Sequence, residues 1–298
     1  MVERPVHTPY DGSGKLFQIG LSLLAPSEWI ETDDDLAFQL GEKQRLDRLH
    51  PGQVFAEEQE SRPAQEECLA LLVDDLKAHH AATHHFDGDH VEVAGWRFNL
   101  ADAAVPPLKR AAHMVQEDLL VLDSKQTGWH LVAASLSFPS SWSLTEKIGR
   151  PMEDIHQPVP GFGGGSRNAD MINRIFDRLP VTAPVKRMNW SINNTSALYL
   201  PGNRIGKDPG LRLEDVHVRV ERQTLRKLAR TGSIVFSIRI HVDRLDTIMA
   251  SPRAQDYAAD FAAQILALDD QQVDYKGFAS RQQALAEHIL ALAQQARG

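Results

Sequence analysis

The chain has 298 residues, 42% of them hydrophobic and 24% charged, the profile of a globular protein with one large domain or two ordinary ones. A formal charge of −8 argues against nucleic acid or an anionic membrane surface as the main partner, and no apolar run approaches the ~20 residues of a membrane span. Cys68 is the only cysteine, which excludes intrachain disulfides, iron–sulfur ligation and CxxC zinc sites; with no signal-peptide pattern in MVERPVHTPYDGSG, a reducing cytoplasm is the expected compartment.

Residues 33–47 and 64–80 read as helices, the second with apolar positions at Leu69, Leu72, Val73 and Leu76 and with Cys68 as a buried structural thiol. The histidines of AHHAATHHFDGDH (His79, His80, His84, His85 and His90) read as an exposed helix end and loop without a ligand role. Pro106-Pro107 opens a helix through Gln116, because proline suits a first turn. EDLLVLD and GWHLVAASLSF are short strands separated by Ser124–Thr127. A Pro-rich loop follows, then a helix over 168–178, a strand at RMNWSIN and strong β character over 215–242. From 253 the chain reads as helical to its end, where Leu285, Ile289, Leu290 and Leu292 form an apolar stripe. The run Gly161–Gly165 lacks the lysine of a phosphate-binding loop and reads as a hinge. No internal repeat is visible. This order predicts an α+β fold, a largely antiparallel sheet with surrounding helices.

Two stretches concentrate chemistry. FPSSWSLTEKIGRPMEDIHQPVPGF, from Phe138 to Phe162, mixes prolines with Trp142, Lys147 and His156. Proline fixes φ and removes an amide donor, so His156, followed at once by Gln-Pro-Val-Pro, sits on a stiff support. Ordered long loops of this kind are more often functional than connective. The second stretch, 216–242, is two alternating runs about a turn near Ala229–Gly232. His217, Arg219, Glu221 and Gln223 share one face of the first run; Ser237, Arg239 and His241 share one face of the second. Folding about the turn brings Glu221 within a residue or two of Arg239 and His241, and a one-residue slip would flip every side chain. Solvated cross-strand ion pairs are the alternative reading of the same pattern.

The loop from Phe138 to Phe162, then RMNWSI, then VRVERQTLRKLARTGSIVFSIRI resemble, in order, the heme-dependent oxidative N-demethylase family over roughly Trp29 to Ile248. The resemblance implies an N-terminal extension over 1–28, a PAS-like heme-binding domain over 29–250 and a C-terminal helical extension over 251–298. It also implies oxidation of a small methylated amine such as dimethylamine to a smaller amine and formaldehyde. That chemistry would use O2 and electrons from a separate flavin and iron–sulfur reductase. With no CxxCH motif the heme would be non-covalent heme b. Cys68, in its apolar helix, is a poor thiolate ligand, which leaves histidine. His156 is the first choice as iron ligand, ahead of His50, His113, His130, His217 and His241. Lys147, Phe162, Trp142 and Trp190 are the expected cofactor-binding residues, the tryptophans either walling the pocket or packing the core. Glu221 suits a cationic amine, and Arg239 or Arg222 suits bound O2. Phe162 stands where tyrosine is common in the family, so a hydroxyl that relatives present there is absent. The rival reading is a non-catalytic heme-binding or gas-sensing module: a distal Glu/Arg pair favours the enzyme, an apolar wall the sensor.

Overall fold

The computed structural model describes residues 5–14, 16–202, 211–276 and 281–296. In chain order its elements are β1 (Ser22–Leu23), α1 (Leu36–Leu49), α2 (Pro51–Val54), β2 (Phe55–Glu57) and α3 (Arg62–His79). Next come β3 (His84–Asp87), β4 (His90–Val93), β5 (Trp96–Asn99), α4 (Pro107–Ala112), β6 (Asp118–Lys125) and β7 (Gly128–Ser135). The middle of the chain supplies α5 (Leu144–Lys147), α6 (Met152–Ile155), α7 (Arg167–Asp177), β8 (Val185–Asn193), β9 (His217–Lys227) and β10 (Ile234–Arg244). Last are α8 (Leu245–Met249), α9 (Ala254–Leu266), α10 (Asp270–Lys276) and α11 (Gln282–Gln295). Among the described residues no helix is long and apolar enough to cross a membrane.

The expected antiparallel sheet is present, seven strands in the order β1-β8-β9-β10-β6-β7-β2. Residues directly opposite in an antiparallel pair share a face, and neighbours along a strand alternate. One face therefore collects Val185, Leu225, Phe236 and Leu120, and above them pack the 138–166 segment and α7. The other face carries two apolar clusters. Val121, Val132 and Val235 pack under α3 and α4. Trp190, Ile192, Val218 and Val220 pack under α9 and α11 with Tyr10. Helices therefore pack against both faces of the sheet.

Three local expectations change. The 84–99 segment is not an exposed loop but a three-stranded sheet, β3-β4-β5. Its hairpins close at Gly88 and Gly95, both at positive φ where glycine meets no Cβ penalty, and histidines had diluted the alternation of Phe86, Val91 and Val93. His84 is buried there, and its Nε2–H donates to the Met114 carbonyl at 2.9 Å. The helix opened by Pro106-Pro107 stops at Ala112, short of Gln116. The Pro-rich stretch contains two one-turn helices, α5 and α6, the latter started by Pro151 at its N-cap.

Candidate functional site

The central hairpin determines which side chains meet. Glu221 pairs with Ile240, and Arg222 with Arg239. On β8, Asn189 lies opposite Glu221, Arg187 opposite Gln223 and Ser191 opposite Arg219. Arg187, Asn189, Arg219, Glu221 and Gln223 are thus neighbours on one face. Glu221 Oε2 accepts from Gln223 Nε2 at 2.8 Å and from Asn189 Nδ2 at 3.3 Å, while Arg219 Nε stands 4.0 Å from Oε1. Arg219 is fully buried and donates onward to the Leu198 and Phe138 carbonyls, tying this face to the start of the Pro-rich segment.

That segment supplies the opposite wall. α6 ends at His156, whose amide caps the turn by donating to the Met152 carbonyl at 2.9 Å. Phe162 is buried 6.2 Å from the His156 ring, and Trp142 is half-buried in the same apolar cluster. Lys147 Nζ donates to the Ile155 carbonyl at 3.2 Å, which fixes the end of α6. The His156 Nδ1 atom is buried without a hydrogen-bond partner. Burial, reinforced by Arg187 and Lys147, pushes the imidazole down to about 4, so it is neutral near pH 7. From the C-terminal part, Lys276 reaches in and donates to the Trp190 carbonyl at 2.6 Å, covering the open edge of β8. A surface groove of about 500 Å³ opens beside these groups, between the Gln157–Gly161 turn and Gln271, Asp274 and Tyr275 of α10.

Positive charge is in excess here. Burial lowers both Arg187 and Lys276, the lysine to about 8, and Glu221 is the carboxylate that offsets each of them. Arg187 Nε and Arg219 Nε are buried without hydrogen-bond partners. A layer of this kind is matched to an anion.

The structure does not bring together all the residues singled out from the sequence. Glu221 lies within one register position of Arg239 and His241, as expected, but points to the opposite face. Arg222 and Arg239 are buried on the far side against the 28–33 segment. Arg222 donates to the Trp29 carbonyl at 3.1 Å and to the Glu28 carbonyl; Arg239 donates to Asp33 Oδ2 at 2.6 Å and Gln39 Oε1 at 2.8 Å. Trp190 is likewise on that side, 5.0 Å from Phe261 in an edge-to-face contact. These three therefore lie on the face away from His156 and brace the sheet. His50 stacks on Tyr199, His130 bonds to Thr127 and the Gly149 carbonyl, His217 bonds to the Asp215 carbonyl and His113 sits by Asp47. Arg187, Asn189 and Lys276 were not singled out, whereas Gln223 was placed on the Glu221 face. Arg187 and Asn189 lie inside the quoted RMNWSI block; nothing in the sequence around Lys276 marks it.

A family model described as "Haem-dependent oxidative N-demethylase, alpha subunit-like" matches residues 20–286. The chain belongs to this family. The match takes in both walls of the site and runs past the sheet into α11, so the N-demethylase-like region includes most of the helical segment after 250. These residues fit a heme: a neutral imidazole with a buried, unpartnered nitrogen, aromatic and aliphatic neighbours, and buried cations for carboxylates.

Proposed function

We propose that the protein is the catalytic chain of an oxidative N-demethylase and holds non-covalent heme b against the Arg187–Glu221 face. The observation that carries this reading is His156, a rigidly mounted neutral imidazole with its Nδ1 buried and unpartnered, facing a cationic sheet surface. His156 would ligate the iron, Phe162 and Trp142 would pack the macrocycle, and Arg187 and Lys147 would take its two carboxylates. When bound, the heme supplies the activation of O2 that oxidises the methyl carbon beside nitrogen. Overall, a small methylated amine, O2, an electron pair and a pair of protons give the demethylated amine, formaldehyde and water. The electrons would come from a separate flavin and iron–sulfur reductase, in keeping with the family's description as an alpha subunit.

With Arg187 and Lys147 engaged by the cofactor, Glu221 is the group that accepts the substrate ammonium, held in place by Asn189 and Gln223. A charged Glu/Arg face, rather than an apolar wall, is what favours the enzyme over a gas sensor. A PAS-like architecture is supported by the five central strands: the β6–β7 hairpin, first in sequence, sits beside β10, last in sequence, with helices crossing between β7 and β8.

The test is the absorption spectrum of protein expressed with heme supplied. A stoichiometric Soret band that His156→Ala abolishes or shifts is expected, as is formaldehyde release from dimethylamine with a reductase. A wild-type protein that takes up no heme would sink the proposal, and a Soret band untouched by His156→Ala would move the ligand elsewhere.

A further inference from the structure

On the sheet face away from the heme site, three ligating side chains converge from distant parts of the chain. His7 lies in the N-terminal strap, Glu31 in the segment before α1 and His241 on β10. One ligand atom from each falls within 4.8 Å of the others. We propose that His7, Glu31 and His241 form a binding site for a divalent transition-metal ion, with zinc as the fitting case.

The geometry within the cluster is specific. Glu31 Oε1 faces the Arg222 Nε at 2.8 Å and His7 Nε2 at 3.2 Å, while Oε2 faces both histidines. Oε2 is 3.0 Å from His7 Nε2 and 3.4 Å from His241 Nε2. A tetrahedral ion with bonds near 2.0–2.1 Å has ligand-to-ligand edges of ~3.3 Å, close to both of these separations. His241 Nε2 is buried and meets no hydrogen-bond geometry in its present position, although its ring is only 4% exposed. The other nitrogen of the same ring, Nδ1, faces Asp33 Oδ2 at 3.8 Å. At that distance Asp33, itself fixed by Arg239 and Gln116, places a negative charge behind the ring without a hydrogen bond to it.

Charge does not forbid a cation here. Arg222 and Arg239 face the cluster, but the Glu31 and Asp33 carboxylates, both held below the usual carboxylate range, face it too. His7 and Glu31 are partly exposed, at 19% and 28%, so water can complete the shell. Two imidazoles and one carboxylate with open positions suit zinc, and also iron(II) or cobalt(II), better than magnesium or calcium. An ion here would join the N-terminal strap, the 28–33 segment and the central strand, none of which it shares with His156.

The experiment uses the full chain, loaded with heme or not, dialysed against a chelator and then titrated calorimetrically with Zn²⁺. One ion per chain is expected, together with a rise in melting temperature. His7→Ala and Glu31→Gln should each weaken binding at least about tenfold and remove the thermal shift, with unchanged far-ultraviolet circular dichroism. His85→Ala, in the small sheet, should leave both intact. Absence of stoichiometric binding overturns the proposal. So does binding that survives His7→Ala and Glu31→Gln, or that disappears with His85→Ala. None of these readings depends on demethylase activity, so the failure of one proposal leaves the other standing.

Discussion

Arg222 and Arg239 stand directly opposite each other on β9 and β10, an arrangement that like charges make costly. The chain meets that cost with one short segment: the Glu28 and Trp29 carbonyls and Glu31 take Arg222, and Asp33 takes Arg239. Asp33 is therefore expected to matter for stability more than its place in a loop suggests. Burial works against its charge, but Arg239 and the hydrogen bonds from Gln116 and the Asp35 amide win and hold it below the usual carboxylate range. Asp33→Ala leaves a fully buried guanidinium without its counter-charge and should cost about 3–5 kcal/mol in urea unfolding. A loss under about 1 kcal/mol would show that the pair is no more than a surface contact.

At the scale of elements, the N-terminal strap and the C-terminal helices close one side of the sheet together. Tyr10 is fully buried, stacked 4.2 Å from Phe261 and edge-on to Trp190 at 6.4 Å. Removing its ring opens a cavity among Trp190, Tyr257 and Phe261, so Tyr10→Ala should cost about 3–5 kcal/mol and expose the strap to limited proteolysis. The Tyr10 hydroxyl, by contrast, is buried without a hydrogen-bond partner. Tyr10→Phe should hold or raise stability, because it removes a desolvated group and keeps the ring. The same melting series decides both: equal losses in the two variants would mean that the hydroxyl, not the ring, anchors the strap. α10 joins the same cluster through Val273, and its Lys276 ammonium bonds to the Trp190 carbonyl at the open edge of β8.

For the whole molecule, acid sensitivity follows from the buried imidazoles. Burial pushes His156 down to about 4, against an ordinary value of 6.5, and lowers His113 as well. Between those two values the unfolded chain binds protons that the folded chain refuses, so stability rises with pH through that window and falls as pH drops from 6.5 towards 4. The His156 share has a ceiling of about 3 kcal/mol. Melting of the heme-free protein at pH 7 and pH 4.5 should show a steeper fall for the wild type than for His156→Phe. Parallel profiles would mean that the ring titrates normally and is not held neutral for a ligand.

The sequence by itself determined the main strands and the longer helices, but not the one-turn helices α5 and α6 of the Pro-rich segment. Proline placement fixes a loop locally, and alternation in VHVRVERQ marks faces within one strand, so both are legible along the chain. It also carried the family resemblance, because motif order survives in one dimension. Which faces meet was decided only in three dimensions. Lys227 pairs with Ile234 across the turn, and that parity puts Ile240, not Arg239 or His241, beside Glu221. A shift of one residue would have joined them, and local sequence does not fix the turn's count. His7 and Lys276 reach their places through packing across more than 80 residues of chain (Lys276 lies 86 residues from Trp190), a separation at which no periodic signal survives. The sequence thus encoded the side chains, while burial of a two-sided sheet sorted them into an Arg187–Glu221 face and a His7–Glu31–His241 face.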